Sequence, residues 1–194
     1  MKALEDKILK EGQVFPGNIL KVNGFLNQRI DIDFLKEMGS EISRLYKNDG
    51  VTKILTVEAS GIAVAVAAAY EMGVPVVFAK KGSNKNLSDD VYKAEVQSFT
   101  KGTKCTVSVE AEFIDADDRV LLIDDFLADG NALKGLLSII NQAGAKAAGA
   151  AIVIEKGFQK GGEELRKQGL RIESLAIVDE MTDDGIKFRS QNQV

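Results

Sequence analysis

Two adjacent carboxylates stand directly after an apolar run in residues 120–130, which read VLLIDDFLADG. Asp124 and Asp125 offer oxygens that accept hydrogen bonds from sugar hydroxyls or orient a hydrated Mg²⁺. A turn with no chemical role needs only one acid to cap the next helix and a glycine to permit the bend. The acid pair therefore favours a site for a sugar, a metal or a phosphate-bearing substrate over a plain turn.

The residues that follow the acids have the composition of an anion-binding loop. They are small or polar, and they lead into a run with helical apolar spacing. Backbone N–H groups and the dipole at the start of a helix can hold a phosphate. The predicted phosphate loop therefore consists of Ala128, Asp129, Gly130, Asn131 and Ala132.

Alternating helix and strand patterns predict the elements that position these residues. Helical spacing and chain-breaking residues predict helices over 2–11, 33–48, 62–72, 131–143 and 161–168. Short β-rich runs predict strands over 53–57, 74–79, 106–114, 120–123, 148–154 and 170–178. Continuously apolar strands that alternate with helices indicate an α/β fold, with a mainly parallel sheet covered on both faces. No interdomain linker is visible, so residues 1–194 are predicted to form a single domain.

Three polar turns follow strands of this predicted sheet. They are EASG at 58–61, the acid pair with its loop, and EKGF at 155–158. In such sheets ligands bind outside the carboxyl ends of the strands, near the point where the strand order reverses. We therefore expect the three turns to converge on one site.

The composition excludes several classes of protein and site. A net charge of -4 argues against general binding to nucleic acid, and no apolar run approaches the roughly 20 residues of a membrane helix. The absence of histidine excludes Ser-His-Asp catalysis and the usual zinc sites. Cys105 is the single cysteine, so an intramolecular disulfide is impossible and a reducing cytoplasm is the expected location.

The acid pair with its loop resembles the signature with which type I phosphoribosyltransferases bind phosphoribosyl pyrophosphate (PRPP). The usual signature has Thr or Ser beside the glycine, whereas this sequence has Asp129 and Ala132 there. The resemblance implies that Asp124 and Asp125 are catalytic residues that hold the ribose hydroxyls, and that 128–132 anchor the 5′-phosphate. It also implies the type I phosphoribosyltransferase fold: a central, mainly parallel sheet flanked by helices, a flexible hood, and a small base-covering region from the two ends of the chain.

The same resemblance assigns roles at two other strand ends. Ser60 and Gly61 occupy the family's pyrophosphate loop. Lys80 and Lys81 stand where the family often has a basic residue that reaches a pyrophosphate, commonly in the partner subunit. Taken alone, two lysines at a strand end are more often a solvated edge. The polar segment 82–105 is implied to be the hood that excludes water during the reaction.

Seven stretches, in the same order, resemble the bacterial xanthine phosphoribosyltransferases. They are NILKVNGFLNQRID at 18–31, VEASGIA at 57–63, VPVVFAKK at 74–81, SFTK at 98–101, LLIDDFLADG at 121–130, AGA at 143–145 and IVIEK at 152–156. By this resemblance Leu20, Asn27 and Lys156 contact the base. The structural alternative for 18–31 is a hairpin-like cover with Leu20 and Phe25 in the core, and the two interpretations are compatible.

The chemistry of the implied base site agrees with an oxopurine. Lys156 donates hydrogen bonds only, so it suits a carbonyl oxygen and disfavours the amino group of adenine. Asn27 can donate to a 2-oxo group, and Phe158 offers a stacking face. These residues alone do not separate xanthine from guanine or hypoxanthine.

The resemblance implies an enzyme that joins xanthine to PRPP and gives xanthosine monophosphate and pyrophosphate. It implies Mg²⁺ bound with PRPP, no protein side chain assigned as a direct metal ligand, and a homodimer. Two alternatives stay open at this stage. One is a guanine or hypoxanthine phosphoribosyltransferase, and the other is a PRPP-sensing regulator, which the negative charge and the lack of a basic recognition helix disfavour.

Overall fold

The computed structural model describes residues 1–82, 90–97, 104–182 and 185–190. Its helices are α1 (Lys2–Glu11), α2 (Ile32–Tyr46), α3 (Gly61–Met72), α4 (Asn131–Gln142) and α5 (Gly161–Lys167). Its strands are β1 (Gln13–Phe15), β2 (Ile19–Lys21), β3 (Lys53–Val57), β4 (Val76–Lys81), β5 (Val91–Gln97), β6 (Lys104–Glu110), β7 (Arg119–Leu127), β8 (Lys146–Lys156), β9 (Ile172–Thr182) and β10 (Gly185–Phe188). A π-helical turn covers Asn23–Asn27, and a 3₁₀ turn covers Ala111–Phe113.

Within the described residues the main sheet has the strand order β10-β9-β8-β7-β3-β4-β6-β5, and β1 pairs separately with β2. The central strands β9, β8, β7, β3 and β4 run parallel to one another. Strands β10, β6 and β5 join the two edges in antiparallel pairing. The predicted α/β fold with a mainly parallel sheet is confirmed.

The sheet is covered on both faces, as its apolar strands require. Successive strand side chains point to opposite faces. In β7, Leu121 and Ile123 pack into the cluster that contains α2 and α3, whereas Val120 and Leu122 pack into the cluster that contains α4. The helices thus hold β7 at the centre of the molecule. None of the helices among the described residues is long and apolar enough to span a membrane.

Two strands extend further than their side-chain pattern predicts. Strand β7 was predicted to end at Ile123 but continues to Leu127, and β8 continues to Lys156. The parallel ladder explains the difference, because Asp124 lies opposite Ile152 and backbone pairing does not depend on side-chain polarity. Both acids and Lys156 therefore belong to rigid strand ends and not to turns.

The predicted hood, 82–105, contains a strand that the sequence pattern did not predict. Strand β5 pairs with β6, and its alternate residues Ala94 and Val96 are buried. The pattern was missed because these two small apolar residues are flanked by polar ones. Residues 83–89 and 98–103, including the SFTK stretch, lie outside the described residues.

Helix α1 near the N-terminus lies against β9 and β10 of the main sheet. Leu20 and Phe25 are buried, as the hairpin-like interpretation of the N-terminal segment predicts. The hairpin itself is β1–β2, which starts before the predicted stretch, and the π-helical turn follows it. In the predicted C-terminal tail, β10 pairs with β9, while 183–184 and 191–194 lie outside the described residues.

Candidate active site

A cavity of about 500 Å³ lies at the carboxyl ends of β3 and β7. The chain leaves these adjacent strands in opposite directions, through α3 to β4 and through α4 to β8, so the cavity lies at the topological switch point. Thirteen of the residues singled out in the sequence line it: Leu20, Asn27, Ser60, Gly61, Lys81, Asp124, Asp125, Ala128, Asp129, Gly130, Asn131, Ala132 and Lys156. Lys80 and Phe158 do not line it.

The acid pair forms the floor of the cavity. Asp124 is only 7% exposed, and its Oδ1 accepts a hydrogen bond of 3.0 Å from the backbone N–H of Asp125. Burial raises the pKa of Asp124 well above its ordinary value, and the neighbouring Asp125 carboxyl raises it further, while the charge of Lys81 acts in the opposite direction. A ligand that brings hydroxyl donors or positive charge to this carboxylate would stabilise its ionised form.

The phosphate loop leads directly into the first turn of α4. Gly130 has a φ of +75°, a left-handed conformation that a side chain would strain, and helix α4 begins at the next residue. Asp129 is exposed to solvent, whereas Gly130 is buried. Backbone N–H groups of the first helical turn have no partner within a helix, so this segment can bind a phosphate without the hydroxyl side chains it lacks.

A second helix N-terminus meets the same cavity from the other side. Helix α3 begins at Gly61, where an added Cβ would lie 2.3 Å from Thr56 Oγ1 and 3.4 Å from Asp124 Oδ1. The glycine therefore lets the start of the helix approach β3 and the acid pair. The backbone N–H of Lys81 donates to Glu58 Oε1 at 2.6 Å, which ties the loop 58–61 to the end of β4.

The opposite end of the cavity is less polar and carries two unusual groups. Asn27 Oδ1 is buried and has no hydrogen-bond partner among the described residues. Lys156 is 6% exposed, its Nζ lies 5.9 Å from the centre of the Phe126 ring, and burial lowers its pKa although the charge of Asp129 opposes this. Leu20, 6% exposed, supplies apolar surface. The arrangement suits a flat ring with polar edges.

Phe126 is a cavity residue that the sequence analysis did not identify. It lines the cavity, whereas Phe158, the predicted stacking residue, is 37% exposed and lies outside the lining. Phe126 packs against the cluster of Leu121 and Ile123, whereas strict alternation along β7 would place it on the face of Val120 and Leu122. The side-chain pattern of β7 therefore did not indicate its position.

A family model described as "Phosphoribosyl transferase domain" matches residues 27–185 of this chain. The chain belongs to the phosphoribosyltransferase family. The matched range contains the acid pair, the phosphate loop and Lys156, and it begins at Asn27. The family resemblance of the sequence is thereby confirmed.

Curated relatives match the chain over nearly its whole length. It is 48% identical to the xanthine phosphoribosyltransferase of Limosilactobacillus reuteri strain DSM 20016, over 97% of this chain and 98% of the relative. It is 51% identical to that of Lactobacillus delbrueckii subsp. bulgaricus strain ATCC BAA-365, over 97% and 100%. It is 50% identical to that of Bacillus cereus strain AH187, over 98% and 97%.

Solved structures support the fold. The adenine phosphoribosyltransferase of Giardia lamblia, in complex with 9-deazaadenine, matches with a TM-score of 0.76 and 22% identity, over 92% of this chain and 98% of that one. The enzyme of Trypanosoma brucei matches with a TM-score of 0.76 and 20% identity, over 94% and 83%. The predicted type I phosphoribosyltransferase fold is confirmed.

The phosphate loop of this phosphoribosyltransferase packs against Gly161, a residue that the sequence analysis did not identify. An added Cβ at Gly161, the first residue of α5, would lie 2.3 Å from the carbonyl oxygen of Ala128 and 2.5 Å from the backbone nitrogen of Gly130. Two backbone segments therefore touch here, and only glycine permits it. The glycine pair at 161–162 was a visible signal, but its contact with the loop requires the tertiary structure.

Gly161→Ala is expected to displace the phosphate loop and raise the KM for PRPP by about 10-fold, the size of one lost or misplaced hydrogen bond to a charged group. The KM for the base should change little, because Asn27 and Lys156, two of the residues implied to contact the base, lie on the π-helical turn and β8. Steady-state kinetics with each substrate varied checks the result. Gly24→Ala is the matched control, since an added Cβ there meets only Glu11 Oε2 at 3.7 Å. Equal effects of the two variants would contradict the role of Gly161.

Asp124→Asn is expected to raise the free energy of unfolding of the ligand-free protein near pH 7 by about 1 kcal/mol, as is common when a functional group is replaced. The folded protein raises the pKa of Asp124. Between the unfolded and folded pKa values the folded state binds more protons, so stability falls as pH rises through that window. Asp124→Asn should lack this fall.

Urea unfolding of both proteins near pH 4 and near pH 7 measures the difference. The exposed Asp117 supplies the control Asp117→Asn, which makes the same chemical change at the surface. The assignment would be wrong if Asp124→Asn destabilised the protein near pH 7 or left the pH dependence of the wild type in place.

Proposed function

We propose that this phosphoribosyltransferase joins xanthine to PRPP and releases xanthosine monophosphate and pyrophosphate. The observation that carries the proposal is the 48–51% identity to curated xanthine phosphoribosyltransferases over at least 97% of the chain. The cavity supports it, since it brings an acid pair, a phosphate loop and a lysine-containing apolar end into one space of about 500 Å³. Such a reaction places the enzyme in purine salvage, and we propose the cytoplasm as its location.

The ribose phosphate would occupy the acid pair and the loop 128–132. The carboxylates of Asp124 and Asp125 accept hydrogen bonds from the ribose hydroxyls, and the loop N–H groups hold the 5′-phosphate. Positive charge develops at the anomeric carbon as pyrophosphate leaves. Because the carboxylates are already fixed on a strand end, they stabilise this charge without reorganising.

The pyrophosphate would lie against Ser60 and Gly61 at the start of α3. The N-terminal end of the helix and the Lys81 ammonium both favour a polyanion there. The buried Asp124 carboxylate and its neighbour are oxygen donors of the kind Mg²⁺ prefers, so the donor set fits Mg²⁺ held together with PRPP. When bound, the ion neutralises charge on the leaving pyrophosphate.

The base would lie between Phe126 and the N-terminal segment. Lys156 donates to an oxo group of the purine. Asn27 has a buried Oδ1 that would accept a hydrogen bond from a ring N–H, and its NH₂ group would donate to the 2-oxo group. Leu20 and Phe126 provide apolar contact with the ring faces. Adenine has an amino group where xanthine has an oxygen, so it would face Lys156 with a second donor and offer the ammonium no acceptor.

The test is turnover of PRPP with xanthine, hypoxanthine, guanine and adenine, with and without Mg²⁺, following nucleotide and pyrophosphate together. Mg²⁺-dependent turnover that favours xanthine is the expected result. Preference for guanine or hypoxanthine would keep the reaction and change the base. Binding of PRPP without turnover of any base would overturn the enzymatic proposal in favour of a regulator.

We also propose a homodimer, supported by an exposed apolar surface on the α3 side of the sheet. Tyr70 is 84% exposed and Val66 is 53% exposed on the outer side of α3. On β4, Val76 packs into the cluster of α3, so the exposed Phe78 two residues on faces the same side. A second copy that covers this surface would lie beside Lys80, next along that face of β4.

Tyr70→Glu is expected to shift the protein from dimer to monomer, because a buried unpaired carboxylate at the interface costs several kcal/mol. Sedimentation velocity over a range of protein concentrations measures the shift. Phe113→Glu is the control, since Phe113 is 47% exposed in the turn after β6. A monomeric and fully active wild-type protein would contradict the proposed dimer.

A further inference from the structure

The turn of the hairpin β1–β2 contains a non-glycine residue, Asn18, with a positive φ. Five of its six strand residues are exposed, and only Leu20 is buried. At the turn, Gly17 has a φ of +85° and Asn18 a φ of +60°. Among the described residues Asn18 is the only non-glycine residue with a left-handed φ. Asparagine tolerates this conformation better than most residues, so the backbone at 18 is set by the turn and permitted by the side chain.

The carbonyl group of Asn18 faces Lys156 at the end of β8. Lys156 Nζ donates to this carbonyl oxygen at 2.9 Å across 138 positions of sequence. The ammonium lies on a long rotatable stem and has three donors. A fixed acceptor on one side restricts the directions in which the remaining donors point. The bond is charge-assisted and belongs to a lysine that is 6% exposed, so solvent screens it weakly.

We propose that Asn18 is a positioning residue for Lys156: its left-handed backbone aims the carbonyl oxygen at Nζ and thereby orients the ammonium for the oxo group of the purine. The role at the base rests on the proposed function. The contact itself, between the hairpin turn and the end of β8, does not. Residue 18 acts through its main chain, so its side-chain type matters only through the φ it permits.

Two substitutions at position 18 can distinguish a role of the main chain from a role of the side chain. Glycine adopts a positive φ without strain, so Asn18→Gly keeps the carbonyl in place while it removes the whole side chain. Valine is β-branched and is an outlier at positive φ, so Asn18→Val turns the carbonyl away. A role of the asparagine amide would make the two variants alike, whereas a role of the main chain makes them differ.

Asn18→Val is expected to raise the KM for xanthine by about 10-fold or more, the effect of one hydrogen bond to a charged group, with the KM for PRPP unchanged. Asn18→Gly should stay within about twofold of the wild type for both substrates, because glycine adopts the same positive φ without strain. The same pair is then made in a Lys156→Met background. In that background Asn18→Val should not raise the KM for xanthine further, because the effects of substitutions that remove one shared contact are not additive.

The proposal is overturned if both variants at position 18 behave alike, or if Asn18→Val keeps its full effect in the Lys156→Met background. A readout independent of turnover uses protein labelled at lysine Cε and follows the titration of Lys156 by NMR. A hydrogen bond to the charged form favours that form, so the pKa of Lys156 should be lower in Asn18→Val than in Asn18→Gly. Equal pKa values would refute the contact. Absence of turnover in the wild type, with unequal pKa values, would refute only the proposed function.

Discussion

Asp125→Asn is expected to reduce kcat by about 100- to 1,000-fold, the loss seen when one preorganised electrostatic group is removed from an active site. The variant keeps the shape of the side chain and an acceptor oxygen but loses the negative charge. Asp125 lines the cavity beside the buried Asp124 and is fixed on the end of β7. The charge is needed mostly when the ribosyl group becomes cationic, so kcat should fall more than the affinity for PRPP.

Single-turnover kinetics and PRPP binding, measured separately, check this expectation. The control is Asp117→Asn, an exposed position before β7 that should retain wild-type kinetics. A thermal unfolding curve shows whether the variant keeps its fold. If Asp125→Asn kept wild-type turnover, the acid pair would have no electrostatic role in the reaction.

Lys156→Met is expected to lower kcat/KM for xanthine by about 10- to 100-fold while the KM for PRPP stays near the wild-type value. Methionine fills a similar volume without the donors. Burial lowers the pKa of Lys156, and deprotonation removes the charged donor. The wild-type kcat/KM for xanthine should therefore fall on the alkaline side at a lower pH than an ordinary lysine would give, and Lys156→Met should lack this fall.

Lys160→Met is the matched control, because Lys160 is exposed four residues further along the chain. It should reproduce the wild-type pH profile. Two results would contradict the assignment of Lys156: an equal loss with both substrates, or an alkaline fall that persists in Lys156→Met.

Many residues that line the cavity could be predicted from the sequence because they lie at the ends of strands. Asp124, the loop 128–132 and Lys156 each follow an apolar run, and the carboxyl ends of parallel strands meet at one edge. Their convergence on one cavity therefore followed from the order of helices and strands. Leu20 and Asn27 came from the resemblance, since nothing in a hairpin pattern singles them out.

The features that the sequence patterns did not predict depend on contacts between distant segments. Gly161 supports the phosphate loop through a backbone contact across about 30 positions, which no local pattern reports. Phe158 came from the resemblance and stays a prediction, while the lining position of Phe126 depends on the strand β7 continuing past the acid pair along β8. Strand β5 was missed because pairing with β6 compensates for its weak apolar pattern.

The separate two-stranded sheet of β1 and β2 has a consequence for how this enzyme can evolve. The hairpin precedes residue 27, where the match to the shared family domain begins. It contributes Leu20 to the cavity, and the Asn18 carbonyl oxygen accepts a hydrogen bond from Lys156. The acid pair and the phosphate loop belong to the main sheet. Substitutions in this short leading segment can therefore reshape one wall of the cavity while the acid pair, the phosphate loop and Lys156, all on the matched family domain, keep their places.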